Sequence, residues 1–195
     1  PPMDQTIRST DKLVEYHDCR DIRTDLALMP RLFLAVFPPV EVVGLLGGLE
    51  RPEVEGLRWT GPEQWHITLR FFGEAEQGDV EDSMQGLRGA AATVLLGPAS
   101  RWLGGGGLAL PADGLDELAA EVRARSETVG QAPERRNFTG RLTLARTRKR
   151  MPGAVVGQPF DAQFKATEIW LVSSHLHSDG ARYTKLSHWP LGEGG

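Results

Sequence analysis

Two stretches of the chain alternate apolar and polar side chains in the same register. In Trp65-His66-Ile67-Thr68-Leu69-Arg70-Phe71-Phe72, a β-strand would direct Trp65, Ile67, Leu69 and Phe71 to one face and His66, Thr68 and Arg70 to the other. Further on, Gly140-Arg141-Leu142-Thr143-Leu144-Ala145-Arg146 repeats the pattern. Leu142 and Leu144 take the core side, and Arg141 and Thr143 take the positions held before by His66 and Thr68. One face of each strand is core, and the other is a candidate site.

The remaining pattern builds the frame around these strands. Leu32 to Phe37 is apolar on both faces and stops at Pro38-Pro39, the signature of a central strand. Residues 40–49 space Val42, Val43, Leu45, Leu46 and Leu49 as a short helix, and 57–60 read as a strand. A helix is expected over Asp79 to Ala92, with Val80, Met84, Leu87 and Ala91 on one side, and another over Asp113 to Val129, started by Asp113 or Asp116. Strands are expected at 93–96, 101–103, 108–110, 160–164, 168–173 and 182–189, with His175 and His177 in a loop between the last two. This mixture, with hairpin-like spacings, predicts an α+β fold of antiparallel sheet. Each motif strand follows a strand and a helix, which suggests two pseudo-symmetric lobes with helices outside and a cleft between them.

Residues 1–28 show no sustained period and are expected to be an extension, disordered or not native, with Met29 as the natural start and 29–195 as the folded domain. His17 and Cys19 lie in that stretch without further ligands nearby, so no metal site is assigned there. The single cysteine, Cys19, allows no internal disulfide. No apolar run reaches membrane-spanning length and no signal-peptide pattern is present, so a cytoplasmic protein without membrane contact is expected. The four glycines at 104–107 fit a hairpin loop, since no Gly-Lys-Ser/Thr ending follows them.

Charge sharpens the picture. The chain carries net −4, which argues against a general nucleic-acid binder. Residues 123–150, however, hold nine basic and two acidic side chains, a local +7 that leaves −11 elsewhere. The positive window brackets the second motif, as an anionic substrate would require.

Two His-x-Thr strands set face to face would aim two imidazoles and two hydroxyls at one small volume. That is phosphodiester chemistry without a metal: one histidine deprotonates the attacking oxygen, the other protonates the leaving oxygen, and the threonines donate to the non-bridging oxygens. Gln64 to Glu74 resembles the first signature of the 2H phosphoesterase superfamily, specifically the RNA 2′,3′-cyclic phosphodiesterases, also called 2′-5′ RNA ligases. Arg31 to Phe37 is similar to that family's opening strand, Leu142-Thr143-Leu144-Ala145-Arg146 to the tail of its second signature, and Gly180-Ala181-Arg182-Tyr183 with Trp189-Pro190-Leu191 to its C-terminal strand. The resemblance spans about residues 29 to 192.

The resemblance implies a bilobal α+β fold and cofactor-independent opening of RNA terminal 2′,3′-cyclic phosphates, or of cyclic nucleotides, to a 2′-phosphomonoester, with reversible 2′-5′ ligation. It implies no obligate protein partner. His66 takes the proton-donor place, and Thr68 and Thr143 the phosphate-binding places. The second histidine should stand at position 141, where this chain has Arg141. A guanidinium offers only donors and stays charged, so it can bind phosphate but cannot act as a base at neutral pH.

The leading expectation is therefore a cyclic phosphodiesterase weakened at Arg141. The second, of a different class, is a non-catalytic binder of RNA ends or nucleotide phosphates. Arg70, Arg146 and Tyr183 are candidate substrate contacts. Arg70 could equally close a surface ion pair, and Tyr183, like Trp65, could equally pack in the core. His175, His177 and His188 read as surface histidines, with replacement of the missing base as their other role.

Overall fold

The computed structural model describes residues 31–103, 107–147, 153–177 and 180–192. The expected extension at 1–28, with His17 and Cys19, lies outside them, as do three of the four glycines at 104–107. In chain order the elements are β1 (Arg31–Val36), α1 (Val40–Gly47), β2 (Leu57–Trp59), a 3-10 turn (Pro62–Gln64), β3 (Ile67–Glu74), α2 (Gln77–Ser83), β4 (Ala92–Leu96), β5 (Arg101–Trp102), β6 (Gly107–Asp113), α3 (Asp116–Arg125), β7 (Arg141–Thr147), a second 3-10 turn (Gly153–Val155), β8 (Ala162–Ala166), β9 (Glu168–His177) and β10 (Gly180–Pro190).

The strands hydrogen-bond in the order β10-β9-β1-β3-β7-β6-β4-β8, with β2 alongside β7 and β5 alongside β6. Every ladder between these strands is antiparallel. The two motif strands, β3 and β7, are neighbours at the middle of the path. On one side β1-α1-β3 supplies the inner half of a lobe, and on the other β6-α3-β7 does the same. The fold is thus α+β, with the expected pseudo-symmetry about the β3–β7 seam.

Hydrophobic patterning decides which face the helices cover. Val42 and Leu46 of α1, and Leu118, Ala119 and Val122 of α3, join Leu34, Ile67, Leu110 and Leu142 in one buried cluster. Each Val, Leu or Ile side chain so removed from water contributes about 1.5–3 kcal/mol, which holds both helices on the same side of the sheet. The opposite face carries a smaller cluster, Phe33, Ala35 and Val172 with Phe37, Phe71, Trp170 and Tyr183 against it. The polar members of the two motifs stand beside this aromatic group.

The helices expected over 79–92 and 113–129 are both shorter than their periodicity predicts. The expected helix over 79–92 ends at Ser83, with Met84 as its C-cap. Gly86 follows at φ +69°, a conformation that turns the chain out of a helix. Asp113 does not start the second helix, because it closes β6, and Gly114 at φ +91° makes the turn into α3. At the other end the Ser126 hydroxyl donates to the Val122 carbonyl at 2.7 Å and the helix stops. His175 and His177 lie on β9, which with β10 forms one long hairpin, so the loop expected around them is not there.

Candidate active site

Ile67 pairs with Leu142 across the β3–β7 seam. In an antiparallel pair, one step along each strand from that point sets His66 across from Thr143 and Thr68 across from Arg141. All four side chains line one cavity of about 330 Å³, and the stretch from Gln131 to Thr139 forms its other wall. The sequence repeat therefore becomes a spatial pairing.

Arg146 reaches the same cavity through an irregularity. β6 pairs Leu108 with Ala145 but Ala109 with Thr143, which leaves Leu144 without an opposite residue. Simple alternation would put Arg146 on the far side from Thr143; one extra residue restores it to the cavity wall. The bulge is clamped by Thr60, a buried residue whose hydroxyl donates toward the carbonyls of Thr143 at 2.9 Å and Leu144 at 2.8 Å. Trp65 Nε1 donates to the same hydroxyl at 3.1 Å. No sequence signal marked Thr60, whose contribution depends on partners more than 80 residues away.

Similar irregularities correct the expected faces of β3. β1 pairs Leu34 with Arg70 but Ala35 with Thr68, and Leu32 with Gly73 but Phe33 with Phe71. Leu69 and Phe72 are the extra residues. Phe72 consequently takes the core place expected for Phe71, and Phe71 joins the aromatic cluster on the site face. Arg70 leaves the His66 and Thr68 row. Only 6% exposed, it lies over the Phe72 ring at 4.9 Å and donates to the carbonyls of Phe71, Val129 and Gln131. It forms part of the cavity's back wall and anchors the start of the 131–139 stretch. Its Nε is buried with no partner among the described residues.

His66 is held in one tautomer. Its Nδ1–H donates to the Gln64 carbonyl at 2.8 Å, because a carbonyl can only accept, and Nε2 is left as the reactive nitrogen. Phe33 stacks on the ring at 4.8 Å, Tyr183 meets it edge-on at 5.0 Å, and Phe37 lies tilted at 5.7 Å. Burial among these rings lowers the His66 pKa to about 4; the Gln64 hydrogen bond opposes the shift and Arg146 adds to it. At neutral pH the free imidazole is uncharged.

The other sequence candidates fall as follows. Tyr183 packs on His66 and Phe33 and is not among the residues that line the cavity. Trp65 is fully buried, with the Arg51 guanidinium over its ring at 4.9 Å. His175 shares a hydrogen bond with Ser173 at 3.1 Å and His188 stacks on Trp170 at 4.7 Å. None of His175, His177 and His188 lines the cavity. Sequence reading missed Arg123 and Arg136, which do; the local charge excess was their only signal. Among the described residues no three His, Cys, Asp or Glu side chains gather as metal ligands, and no helix is long and apolar enough to cross a membrane.

The LigT like Phosphoesterase family matches residues 39–95, a span that includes His66 and Thr68. No curated protein sequence matches the chain significantly. Among solved structures, TT0787 of Thermus thermophilus superposes with a TM-score of 0.72 at 25% identity, over 84% of this chain and 98% of that one. E. coli LigT complexed with NADP+ gives 0.66 at 26% identity, over 84% and 98%. The same protein complexed with 3′-AMP gives 0.66 at 26%, over 83% and 98%. The chain is thus similar to the LigT-like phosphoesterases, in sequence over the segment that carries His66 and Thr68 and in fold over most of its length.

Proposed function

We propose that the protein hydrolyses RNA terminal 2′,3′-cyclic phosphates, or cyclic nucleotides, to 2′-phosphomonoesters without a metal, with 2′-5′ ligation as the reverse direction, and that Arg141 makes it slow. The supporting observation is the single cavity shared by His66, Thr68, Arg141 and Thr143. In this reading the Thr68 and Thr143 hydroxyls donate to the non-bridging oxygens, and Arg141 and Arg146 neutralise the phosphate. Water attacks phosphorus and the bond to the 3′ oxygen breaks. His66, protonated when the anion binds beside it, gives its Nε2 proton to that oxygen. The proton of the attacking water goes to solvent, since a guanidinium cannot take it. Loss of a positioned base costs about 10² to 10⁴ in rate.

The test is hydrolysis of a 2′,3′-cyclic nucleotide in the presence of EDTA. A 2′-phosphate product that His66→Ala reduces at least about 10²-fold supports the reading; turnover that is indifferent to His66, or that requires added metal, contradicts it. A second reading, a binder of RNA ends or nucleotide phosphates that does not turn over, is favoured by Arg141 and the uncharged free His66. Nucleotide binding with no product in the same assay would select it.

A further inference from the structure

The cavity holds more positive charge than a cyclic phosphate at its His66 end needs. Of the arginines that line it, Arg136 pairs with Glu134. Arg70, Arg123, Arg141 and Arg146 have no carboxylate at ion-pair distance among the described residues. A 2′,3′-cyclic phosphate is a monoanion, and Arg141 and Arg146 on β7 suffice to meet it. Arg70 and Arg123 are left over.

These two come from different elements, β3 and the last turn of α3. Burial first, and then the neighbouring Arg123 guanidinium, push Arg70 below its ordinary pKa. Like charges held together without a counter-ion repel, and a bound anion relieves that repulsion. Arg70 itself is occupied by carbonyls. Arg123 is half-buried and donates one Nη to the Arg136 carbonyl at 3.2 Å, and the rest of its fork has no partner among the described residues. The contrast with Arg125 in the same helical turn is informative. Arg125 pairs with Glu121 at 3.0 Å and donates to the carbonyls of Gln85 and Gly86, as an arginine that braces a helix end does. Arg123 is turned into the cavity instead.

The geometry points to a second phosphate subsite at Arg123, with buried Arg70 behind it as a fixed positive charge, inside the same cavity as His66. The substrate class is then a nucleotide with another phosphoryl group besides the reacting one: an RNA end together with its adjoining phosphodiester, rather than a lone cyclic mononucleotide. This rests on the cyclic phosphodiester reading of the His66 end.

Calorimetric binding of adenosine 2′-monophosphate and adenosine 2′,5′-bisphosphate to the wild type, Arg123→Gln, Arg123→Lys and Thr143→Val separates the two ideas. The wild type should prefer the bisphosphate by about tenfold or more, the order of one charge-assisted hydrogen-bonded contact. Arg123→Gln should bring that ratio close to one, and Arg123→Lys, which keeps the charge but not the fork, should retain only part of it. Equal affinities in the wild type, or a preference undiminished in Arg123→Gln, would overturn the subsite. Thr143→Val should weaken both nucleotides. If it weakens neither, the His66-end reading fails, and the bisphosphate ratio still reports on Arg123.

Discussion

Ile67 on β3 pairs with Leu142 on β7, and both side chains are fully buried. That apolar pair fixes the relative position of two strands whose polar neighbours carry the chemistry. The residue at position 141 is exposed and can therefore vary without disturbing the seam. A fold similar to those of TT0787 and E. coli LigT is kept here around an arginine that cannot accept a proton.

The pH dependence of stability follows from His66. Its folded pKa, about 4, lies below the ordinary value near 6.5, so between those limits the unfolded chain binds more protons. His66 therefore contributes its full stability above about pH 6.5 and loses it as the pH falls toward 4, to a maximum of about 3 kcal/mol. Urea unfolding of the wild type and His66→Phe at neutral pH and near pH 4.5 checks this. The wild type should lose stability relative to the variant on acidification; a gap independent of pH would show that His66 is not buried as described.

Thr60→Val removes the hydroxyl that clamps the Leu144 bulge and leaves the buried Trp65 Nε1 without its partner. Thermal unfolding should show a loss of about 1–3 kcal/mol. Because the bulge sets Arg146 on the cavity wall, nucleotide affinity should fall as well, by about tenfold. A variant that is less stable but binds nucleotide as the wild type does would limit Thr60 to a packing role.

The frame of the protein was legible because period-two patterning reports the buried face directly. β1, β3 and β7 could be read from it, and the repeat of Thr68 in Thr143 indicated the shared site. What alternation could not show was where it breaks. The extra residues at Leu69, Phe72 and Leu144 are defined by their cross-strand partners, which a single strand's sequence does not contain. For that reason alternation puts Phe71 on the core face and Arg146 on the far side from Thr143, whereas Phe71 joins the site-face cluster and Arg146 lines the cavity. Arg123 was equally hidden, since Arg123 and Arg125 look alike in sequence while only one faces the cavity.

The same separation of fold from chemistry makes the activity prediction narrow. His66→Ala should abolish most turnover while nucleotide binding through Thr68, Thr143 and the arginines persists, a loss in kcat more than in KM. Steady-state kinetics beside calorimetry would resolve it. Equal loss of both would place His66 in binding alone.

The central claim is that Arg141 stands where the reaction needs a base. Its most direct test is kcat for a 2′,3′-cyclic nucleotide, at neutral pH with EDTA, in Arg141→His beside the wild type. A rise of about 10²-fold or more is predicted; a rate unchanged or lower in Arg141→His would contradict it.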